Sequence, residues 1–322
     1  MREPMPHGLR PMLARLAEMP ADEYRYGFEI KWDGVRALAY AQRGRVKLES
    51  RTGREITAQF PEVAALRDHL GRRQAVLDGE LVAFDDAGRP SFQQLQGRIH
   101  LASQALVRER MRAIPVTYMF FDVLHLGGRN TRELPYEQRR ALLAELGLDG
   151  PALQTPRHHV GEGSALLAVS RERGLEGVVA KRLDSTYQPG SRGGAWLKIK
   201  NHRSQEVVIG GWLAGKGRRS GTIGALLAGY YEDGELKYAG KVGTGFGEED
   251  LKRLAAGLEP LRRDTSPFSG RQPERGSIFV EPKLVAEVEF GEWTNAATMR
   301  HPSYKGLRTD KPARDVVREE PA

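Results

Sequence analysis

Short runs of alternating apolar and polar residues dominate the first 200 positions of the chain, and polar turns separate them. They predict strands over 28–32, 36–40, 45–50, 75–84, 116–124, 177–182 and 195–200. Two or three helical stretches interrupt these runs. The pattern indicates an α+β fold with mixed or antiparallel sheets.

The clearest helix is "LPYEQRRALLAELG" at 134–147. Pro135 suits a first helical turn, the leucines form one apolar stripe, and Gly147 can end the helix in a left-handed conformation. We expect its two arginines, Arg139 and Arg140, to lie on a solvated face.

A change of pattern near 204 predicts a domain boundary. The polar stretch "NHRSQ" at 201–205 leads into Gly-rich apolar runs and a helix near 247–258. The "EDG" at 232–234 is typical of a hairpin turn. Several short strands with one helix suit a small β-barrel. We therefore expect two domains, 1–204 and 205–322.

Composition favours a nucleic-acid partner. The 322 residues carry 50 Lys and Arg against 42 Asp and Glu, a net charge of +8 and a pI near 9.7. Acidic and basic residues balance in the second predicted domain, so the positive excess lies in the first. A basic surface attracts polyanions, among which nucleic acid is favoured over an anionic membrane.

Features that are absent from the sequence disfavour several other classes of protein. No apolar run approaches the roughly 20 residues of a spanning helix, and "MREPMPHGLRPML" lacks the apolar core of a signal peptide. We expect a soluble, intracellular protein. The absence of cysteine excludes disulfides, Cys-based zinc sites and thiolate nucleophiles.

Charged residues interrupt several apolar strands. "FEIKWDGVR" places Lys31 in a predicted strand, and in "LDGELVAFD" the two-residue period puts Asp78 and Glu80 on one face with Val82. An isolated strand lysine is usually solvated. Charges on largely buried faces cost several kcal/mol unless they are paired or bind an ion.

Two further strands repeat this pattern. "WLKIK" places Lys198 and Lys200 on one face, and "EGVVAKR" carries Glu176 and Lys181 around an apolar run. Carboxylates suit Mg²⁺, and lysines suit phosphate oxygens. Together the strands predict a pocket for a metal-bound phosphate ligand, with Lys31 as a candidate nucleophile towards phosphorus.

These motifs resemble the ATP-dependent DNA ligases of the covalent nucleotidyltransferase superfamily. "KWDG" at 31–34 resembles the KxDG motif, whose lysine accepts AMP as a phosphoramidate, "SRTGREIT" from Ser50 resembles the next motif, and "GLRTDK" at 306–311 resembles RxDK. The resemblance spans about 11–318. It implies a nucleotidyltransferase (ATP-grasp-like) domain followed by an OB-fold domain.

The resemblance also implies the site residues. Lys31 is the adenylated residue, "YMFFDVL" at 118–124 supplies Phe121, ahead of Phe120, as an aromatic face for adenine, and Glu80 and Glu176 hold Mg²⁺ or Mn²⁺. The residues that it places around ATP are Glu29, Ile30, Asp33, Arg36, Arg51, Glu80, Phe121, Lys181, Lys198, Lys200, Arg308 and Lys311.

The implied reaction has three steps. Lys31 attacks the α-phosphorus of ATP and pyrophosphate leaves, AMP passes to a 5′-phosphate at a DNA break, and the 3′-hydroxyl then expels AMP. The closest enzyme alternative is a GTP-dependent mRNA capping guanylyltransferase, which shares KxDG and RxDK. An alternative from another class is a basic two-domain module that binds DNA ends without chemistry. The latter leaves the paired acids and lysines unexplained.

Within the family, "FQQLQGR" and "HPSYKGLRTDKPARDVV" most resemble the ligase module of bacterial end-joining enzymes of the ligase D type. This implies a cytoplasmic, nucleoid-associated monomer that acts on duplex DNA with nicks or ends, with a Ku-like end-binding partner. Such enzymes often carry polymerase and phosphoesterase modules, which this chain lacks, so we expect a stand-alone ligase or one module of a larger enzyme.

A basic loop lies between two predicted barrel strands, in "KGRRSG" at 216–221. Lys216, Arg218 and Arg219 suit contact with DNA phosphates, and a solvated loop is an equal alternative. In contrast, "VGTGFGEEDL" at 242–251 is interpreted as a glycine turn before a helix whose first turn favours acids, not as a phosphate loop.

Overall fold

The computed structural model describes residues 3–99, 101, 103–201, 203–215 and 221–319. The chain divides into two compact units after Asn201. The predicted DNA contacts Lys216, Arg218 and Arg219 lie outside the described residues. Among the described helices, none has both the length and the apolar character needed to span a bilayer.

The first unit is built mainly from strands. Its strands are β1 (Arg15–Leu16), β2 (Tyr26–Ile30), β3 (Val35–Gln42), β4 (Arg45–Ser50), β5 (Ala75–Ala83), β6 (Val116–Leu126), β7 (Arg129–Asn130), β8 (Leu153–Gln154), β9 (His159–Val160), β10 (Gly177–Arg182) and β11 (Trp196–Lys200). Its helices are α1 (Leu66–Leu70), α2 (Phe92–Gln96), α3 (Gln104–Ala113), α4 (Tyr136–Ala144) and α5 (Gly163–Glu172). The seven predicted strands and the clearest predicted helix are confirmed, with ends that differ by a few residues.

These strands form two sheets. One has the order β1-β11-β10-β2-β9, and the other has the order β4-β3-β5-β6-β7 with β8 beside β6. The pairs β1–β11 and β6–β8 are parallel and the other pairs in these two sheets are antiparallel, as the sequence predicted. A small apolar cluster joins the sheets, with Leu38, Tyr40 and Leu124 from one and Trp196 from the other. The candidate site lies along this join.

A β-bulge interrupts the pairing of β6 at Phe121. Asp78 of β5 pairs with Asp122, and the next residue, Gly79, pairs with Phe120, so Phe121 is an extra residue in β6. Phe120 is buried in the large core with Tyr118, whereas Phe121 is half-buried on the other face, as the alternation of side chains along a strand requires. Bulges are frequently found beside active sites.

The second unit is a strand-rich domain with one longer helix. Its elements are β12 (Arg203–Ala214), β13 (Ile223–Glu232), β14 (Glu235–Val242), α6 (Glu248–Leu258), β15 (Arg262–Arg263), β16 (Ser277–Val280), β17 (Val285–Phe290), β18 (Glu292–Trp293), β19 (Met299–Arg300) and β20 (Ser303–Arg308). The long strand β12 pairs with β13, β16 and β17. Asp233 and Gly234 both have positive φ, which suits the predicted two-residue hairpin turn between β13 and β14.

The glycine turn and acidic helix start predicted near 247 are also present. Helix α6 follows Gly247, whose N–H donates to the Asp250 carboxylate at 3.0 Å. Three acidic residues occupy the first turn, where the helix dipole favours negative charge.

Candidate active site

Strand register brings Lys31 next to an acid that is distant in sequence. Strand β10 lies between β2 and β11, with Gly177 opposite Lys200, and the Lys31 N–H donates to the Gly177 carbonyl at 2.9 Å. Glu176, which precedes Gly177, therefore reaches both lysines. Only glycine fits this crossing, because φ at Gly177 is +146° and a Cβ there would lie 2.1 Å from the carbonyl oxygen of Ile199.

Glu176 is held between two ammonium groups. Its Oε2 accepts a hydrogen bond from Lys31 Nζ, and its Oε1 lies 3.4 Å from Lys200 Nζ. Burial alone would raise the pKa of Glu176, but the charges of Lys31 and Lys200 outweigh it and lower the pKa to about 2. Glu176 is therefore ionised at neutral pH, in a site with more lysines than this single acid balances.

This pKa shift predicts an acid-dependent stability. Because the pKa of Glu176 in the folded chain is below the ordinary 4.5, its contribution is present above pH 4.5 and lost as the pH falls towards 2. The contribution is at most about 3 kcal/mol. We expect Glu176→Gln to lower the melting temperature at pH 7 and to flatten its fall between pH 4.5 and 2, measured by calorimetry.

A matched control removes an exposed acid from the same unit. The Glu162 side chain is 66% exposed, so Glu162→Gln should leave the acid limb of the wild-type stability curve intact. An equally steep limb in the Glu176→Gln and Glu162→Gln proteins would contradict the assignment of the limb to Glu176.

A second, buried ion pair lies further along β2 and β10. Lys181 Nζ is 2.6 Å from Glu29 Oε2 and 4.2 Å from the centre of the Phe121 ring. Burial lowers the pKa of Lys181, although Glu29 opposes this shift. Burial would raise the pKa of Glu29, but Lys181 and Arg140 hold it below its usual range. The Tyr136 hydroxyl also donates to Glu29, at 2.8 Å.

The third cluster centres on Arg36 of β3. Its guanidinium donates twice to Asp78, at 2.5 and 2.7 Å, and its Cζ lies 4.5 Å from the centre of the Phe121 ring. Tyr187 donates to the same carboxylate at 2.6 Å. Asp78, which the strand pattern grouped with Glu80, is thus fully buried in an internal network, whereas Glu80 is half-buried opposite Arg36.

The turn after Lys31 depends on a second close approach. A Cβ at Gly34 would lie 2.2 Å from the Leu81 carbonyl oxygen, so the "KWDG" turn passes directly over β5, next to Glu80. This position explains why the turn ends in glycine. Asp33 in the same turn is half-buried, and Ile30 directs its side chain to the face opposite Lys31. The Arg51 N–H donates to the Arg36 carbonyl at 3.2 Å.

The prediction for the helix α4 arginines is wrong. Arg139 is fully buried and bonds both oxygens of Asp122, at 2.7 and 3.0 Å, and Arg140 is also buried, near Glu29. Helix α4 packs on β6, and the buried acids on the strands draw these arginines inwards. The missed signal was Asp122 itself, because an acid inside the apolar "YMFFDVL" strand requires a buried cation.

The last two predicted ATP contacts lie in the second unit, in internal ion pairs. Arg308 donates to Glu287 at 2.9 Å and to both oxygens of Asp310, each at 2.9 Å. Lys311 donates to Glu206 at 2.9 Å. Arg308 is the last residue of β20, and the side chains of both cations are largely buried.

The residues around Lys31 suit a divalent cation only in part. The described part of the chain contains no group of three or more His, Cys, Asp or Glu placed to hold a metal. Glu176 Oε1 is nevertheless buried without a hydrogen bond from any described residue, and Glu80 presents a half-buried carboxylate. Such hard oxygens fit Mg²⁺, which commonly takes one or two carboxylates and completes its shell with phosphates and water.

Comparison with protein families agrees with this arrangement. Residues 11–200 match the family described as "ATP dependent DNA ligase domain", and residues 219–311 match "ATP dependent DNA ligase C terminal region". The chain therefore belongs to the ATP-dependent DNA ligase family, and the assignment from its motifs is confirmed.

Curated relatives place it more narrowly. It is 44% identical over 317 residues to the "Multifunctional non-homologous end joining DNA repair protein LigD" of Mycobacterium tuberculosis, covering 97% of this chain and 40% of the relative. It is 38% identical over 329 residues to LigD of Pseudomonas aeruginosa, covering 100% and 38%. The chain thus spans about two fifths of the length of these relatives.

A solved structure supports the same placement. The chain is 42% identical to "mycobacterial DNA ligase D complexed with ATP and MES", with a TM-score of 0.70, covering 97% of this chain and 98% of that chain. The predicted fold class, a nucleotidyltransferase domain followed by an OB-fold domain, and the predicted similarity to the ligase D type are confirmed.

Proposed function

We propose that this chain is an ATP-dependent DNA ligase that forms lysyl-AMP, transfers AMP to a 5′-phosphate and seals DNA breaks in end joining. The observation that carries the proposal is the placement of Lys31. Its amine lies at the end of β2 against an ionised carboxylate, and Lys198 and Lys200 lie on β11, on the other side of β10. This arrangement combines a nucleophile with cations for phosphate.

In the first step, Lys31 Nζ loses a proton to water and bonds to the α-phosphorus, while the bond from phosphorus to the leaving pyrophosphate breaks. The contact with Glu176 orients the amine before attack. Lys198 and Lys200 bind the α-phosphate oxygens, which gain charge in the transition state. Glu80 and Glu176 would hold Mg²⁺ or Mn²⁺, which when bound supplies further charge stabilisation.

The nucleoside would lie over the third cluster of the site. Phe121 is the aromatic face we assign to adenine, because Phe120 is fully buried and cannot reach a ligand. Lys181 and Glu29 flank that face, and the Ile30 backbone lies at the adenine edge. We assign the sugar and phosphate region to Asp33, Arg36 and Arg51.

Arg308 and Lys311 are assigned to pyrophosphate, whose departure belongs to the first step alone. Contact with phosphate would replace their present bonds to Glu287, Asp310 and Glu206. Exchanging carboxylate oxygens for phosphate oxygens keeps each cation paired throughout.

The substrate we propose is duplex DNA with nicks or ends, with phosphate contacts that include Lys216, Arg218 and Arg219. The positive charge of 1–204 suits that substrate. A monomer that acts in the bacterial cytoplasm at the nucleoid, together with a Ku-like end-binding protein, completes the proposal.

Covalent labelling tests the function. With Mg²⁺, the protein should take up label from α-labelled ATP but not from α-labelled GTP, and chelation of the metal should abolish uptake. The labelled protein should then pass AMP to a 5′-phosphorylated nick and seal it. Uptake from GTP alone would instead identify a capping guanylyltransferase, and no uptake from either nucleotide would leave a non-catalytic DNA-binding module.

A further inference from the structure

A basic groove lies at the far end of the β3–β4 hairpin from the candidate site. It has a volume of about 510 Å³, and its charged lining consists of Arg43, Arg45 and Lys47, with His7 at its edge. Lys47 is partly neutralised by Glu49 at 2.9 Å and Glu55 at 3.8 Å. The local positive charge is therefore supplied mainly by the two arginines.

Both arginines are available to a ligand. Their side chains are exposed, and within the part of the chain that the structure describes neither guanidinium has an ion pair or hydrogen bond. The aromatic ring in the groove is much less accessible to a ligand than the arginines. Tyr40 is 4% exposed, its hydroxyl accepts a hydrogen bond from the Leu9 N–H at 3.0 Å, and the His7 ring stacks near it. The groove thus favours phosphate groups over stacked bases.

The hairpin turn keeps an arginine where another residue would fit better. Arg43 has φ of +51° and Gly44 has φ of +73°, the two-residue turn in which asparagine is preferred at the first position. Non-glycine residues adopt this φ uncommonly, and arginine is not among the types enriched there. Asp233 has the same φ in the other two-residue hairpin, so the geometry of the turn is ordinary and the positive charge at Arg43 is what distinguishes this one.

The groove opens on the same face of the sheet as the candidate site. Arg36, Tyr40 and Gln42 alternate onto one face of β3, and the register pairs Gln42 with Arg45 on β4. Six residues of strand separate Arg36 from Gln42, a distance of roughly 20 Å. Along a DNA duplex this distance corresponds to about six base pairs at 3.4 Å each.

We propose that this groove binds the phosphate backbone of duplex DNA about six base pairs from the break, through Arg43 and Arg45. The inference rests on the proposed ligase function, because it takes the break to lie near Arg36, in the proposed nucleotide site. The contact extends the DNA-binding surface of the first unit along one arm of the duplex. It contributes to DNA affinity and its salt dependence, and has no part in the reaction with ATP.

The test removes the two charges without disturbing the hairpin. In the double variant Arg43→Asn, Arg45→Thr, asparagine suits the turn and threonine suits a strand, so the melting temperature should stay the same or rise. The dissociation constant for a nicked duplex with a blocked 3′ end is measured against KCl concentration. We expect weaker binding and a salt slope reduced by about 1.8, since each lost contact removes roughly 0.9.

A matched control removes the same charge elsewhere in the first unit. Arg108 and Arg112 are exposed on α3, so Arg108→Gln, Arg112→Gln changes the net charge equally. This control should leave the slope nearly as in the wild type. Equal slopes in the two double variants, or an unchanged slope in the hairpin variant, would overturn the inference.

Shortening the DNA locates the contact. When the arm that reaches the groove is cut to about four base pairs, the wild type and the hairpin variant should bind equally, because the arm no longer spans roughly 20 Å. If the wild type and the hairpin variant still differed in dissociation constant whichever arm was shortened, the proposed location of the contact would be wrong. All variants should take label from ATP as the wild type does; failure of the wild type to label would reject the proposed function itself.

Discussion

Lys31→Ala should fold normally and take no label from ATP, with uptake reduced by at least about a thousandfold because the nucleophile is absent. The fold should tolerate the change, since the Lys31 side chain is 23% exposed and Glu176 retains Lys200 at 3.4 Å. The measurements are covalent labelling with Mg²⁺ and a melting curve recorded on the same preparation.

One further variant and a pre-adenylated substrate sharpen this expectation. Lys31→Arg should also fail, because a guanidinium keeps the charge but does not deprotonate to attack phosphorus. Sealing of a nick that already carries AMP should survive in both variants, since that step bypasses Lys31. If either variant sealed an unadenylated nick from ATP, Lys31 would not be the nucleophile.

Asp122→Asn should lower the melting temperature by about 10 °C. The side chains of Asp122 and Arg139 are both fully buried, and Arg139 also donates to the carbonyls of Leu134 and Ser185. Removing one partner of a buried pair leaves the other charge unpaired, which costs roughly 3–5 kcal/mol. In a unit of about 200 residues, each kcal/mol shifts the melting temperature by about 2–4 °C.

The same pair of residue types occurs on the surface and provides a control. Arg182 donates twice to Asp184, at 3.0 and 2.7 Å, but the Asp184 side chain is 63% exposed. Water screens that pair, so Asp184→Asn should barely change the melting temperature. Calorimetry gives the melting temperature of both variants. Similar decreases in melting temperature would show that burial is not what makes the Asp122 pair important for stability.

Much of the first unit could be predicted from residue alternation. Period-2 patterns located its principal strands, and in β11 the same rule correctly separated Lys198 from Leu197 and Ile199, which pack in an apolar cluster. Local rules also identified the hairpin turn at 232–234. These predictions are correct because each feature depends on neighbours within a few residues along the chain.

Features that depend on residues distant in the sequence could not be predicted in the same way. The inward direction of Arg139 depends on Asp122 on another element, and alternation along β6 alone does not reveal the bulge at Phe121. The internal pairing of Arg308 with Glu287 depends likewise on the register of two strands.

By itself, the sequence determined the family, the motifs, the strand periods and the candidate nucleophile, because these reside in short stretches whose residue types and spacing are sufficient. Only the tertiary structure decided which charges meet. Glu176 lies 145 residues from Lys31 along the chain, and it reaches that amine because β10 pairs antiparallel with β2 and Gly177 permits a close crossing. Burial makes an unpaired charge costly. Glu176 and Lys181 are therefore held beside charged partners, which strand pairing and packing bring to them.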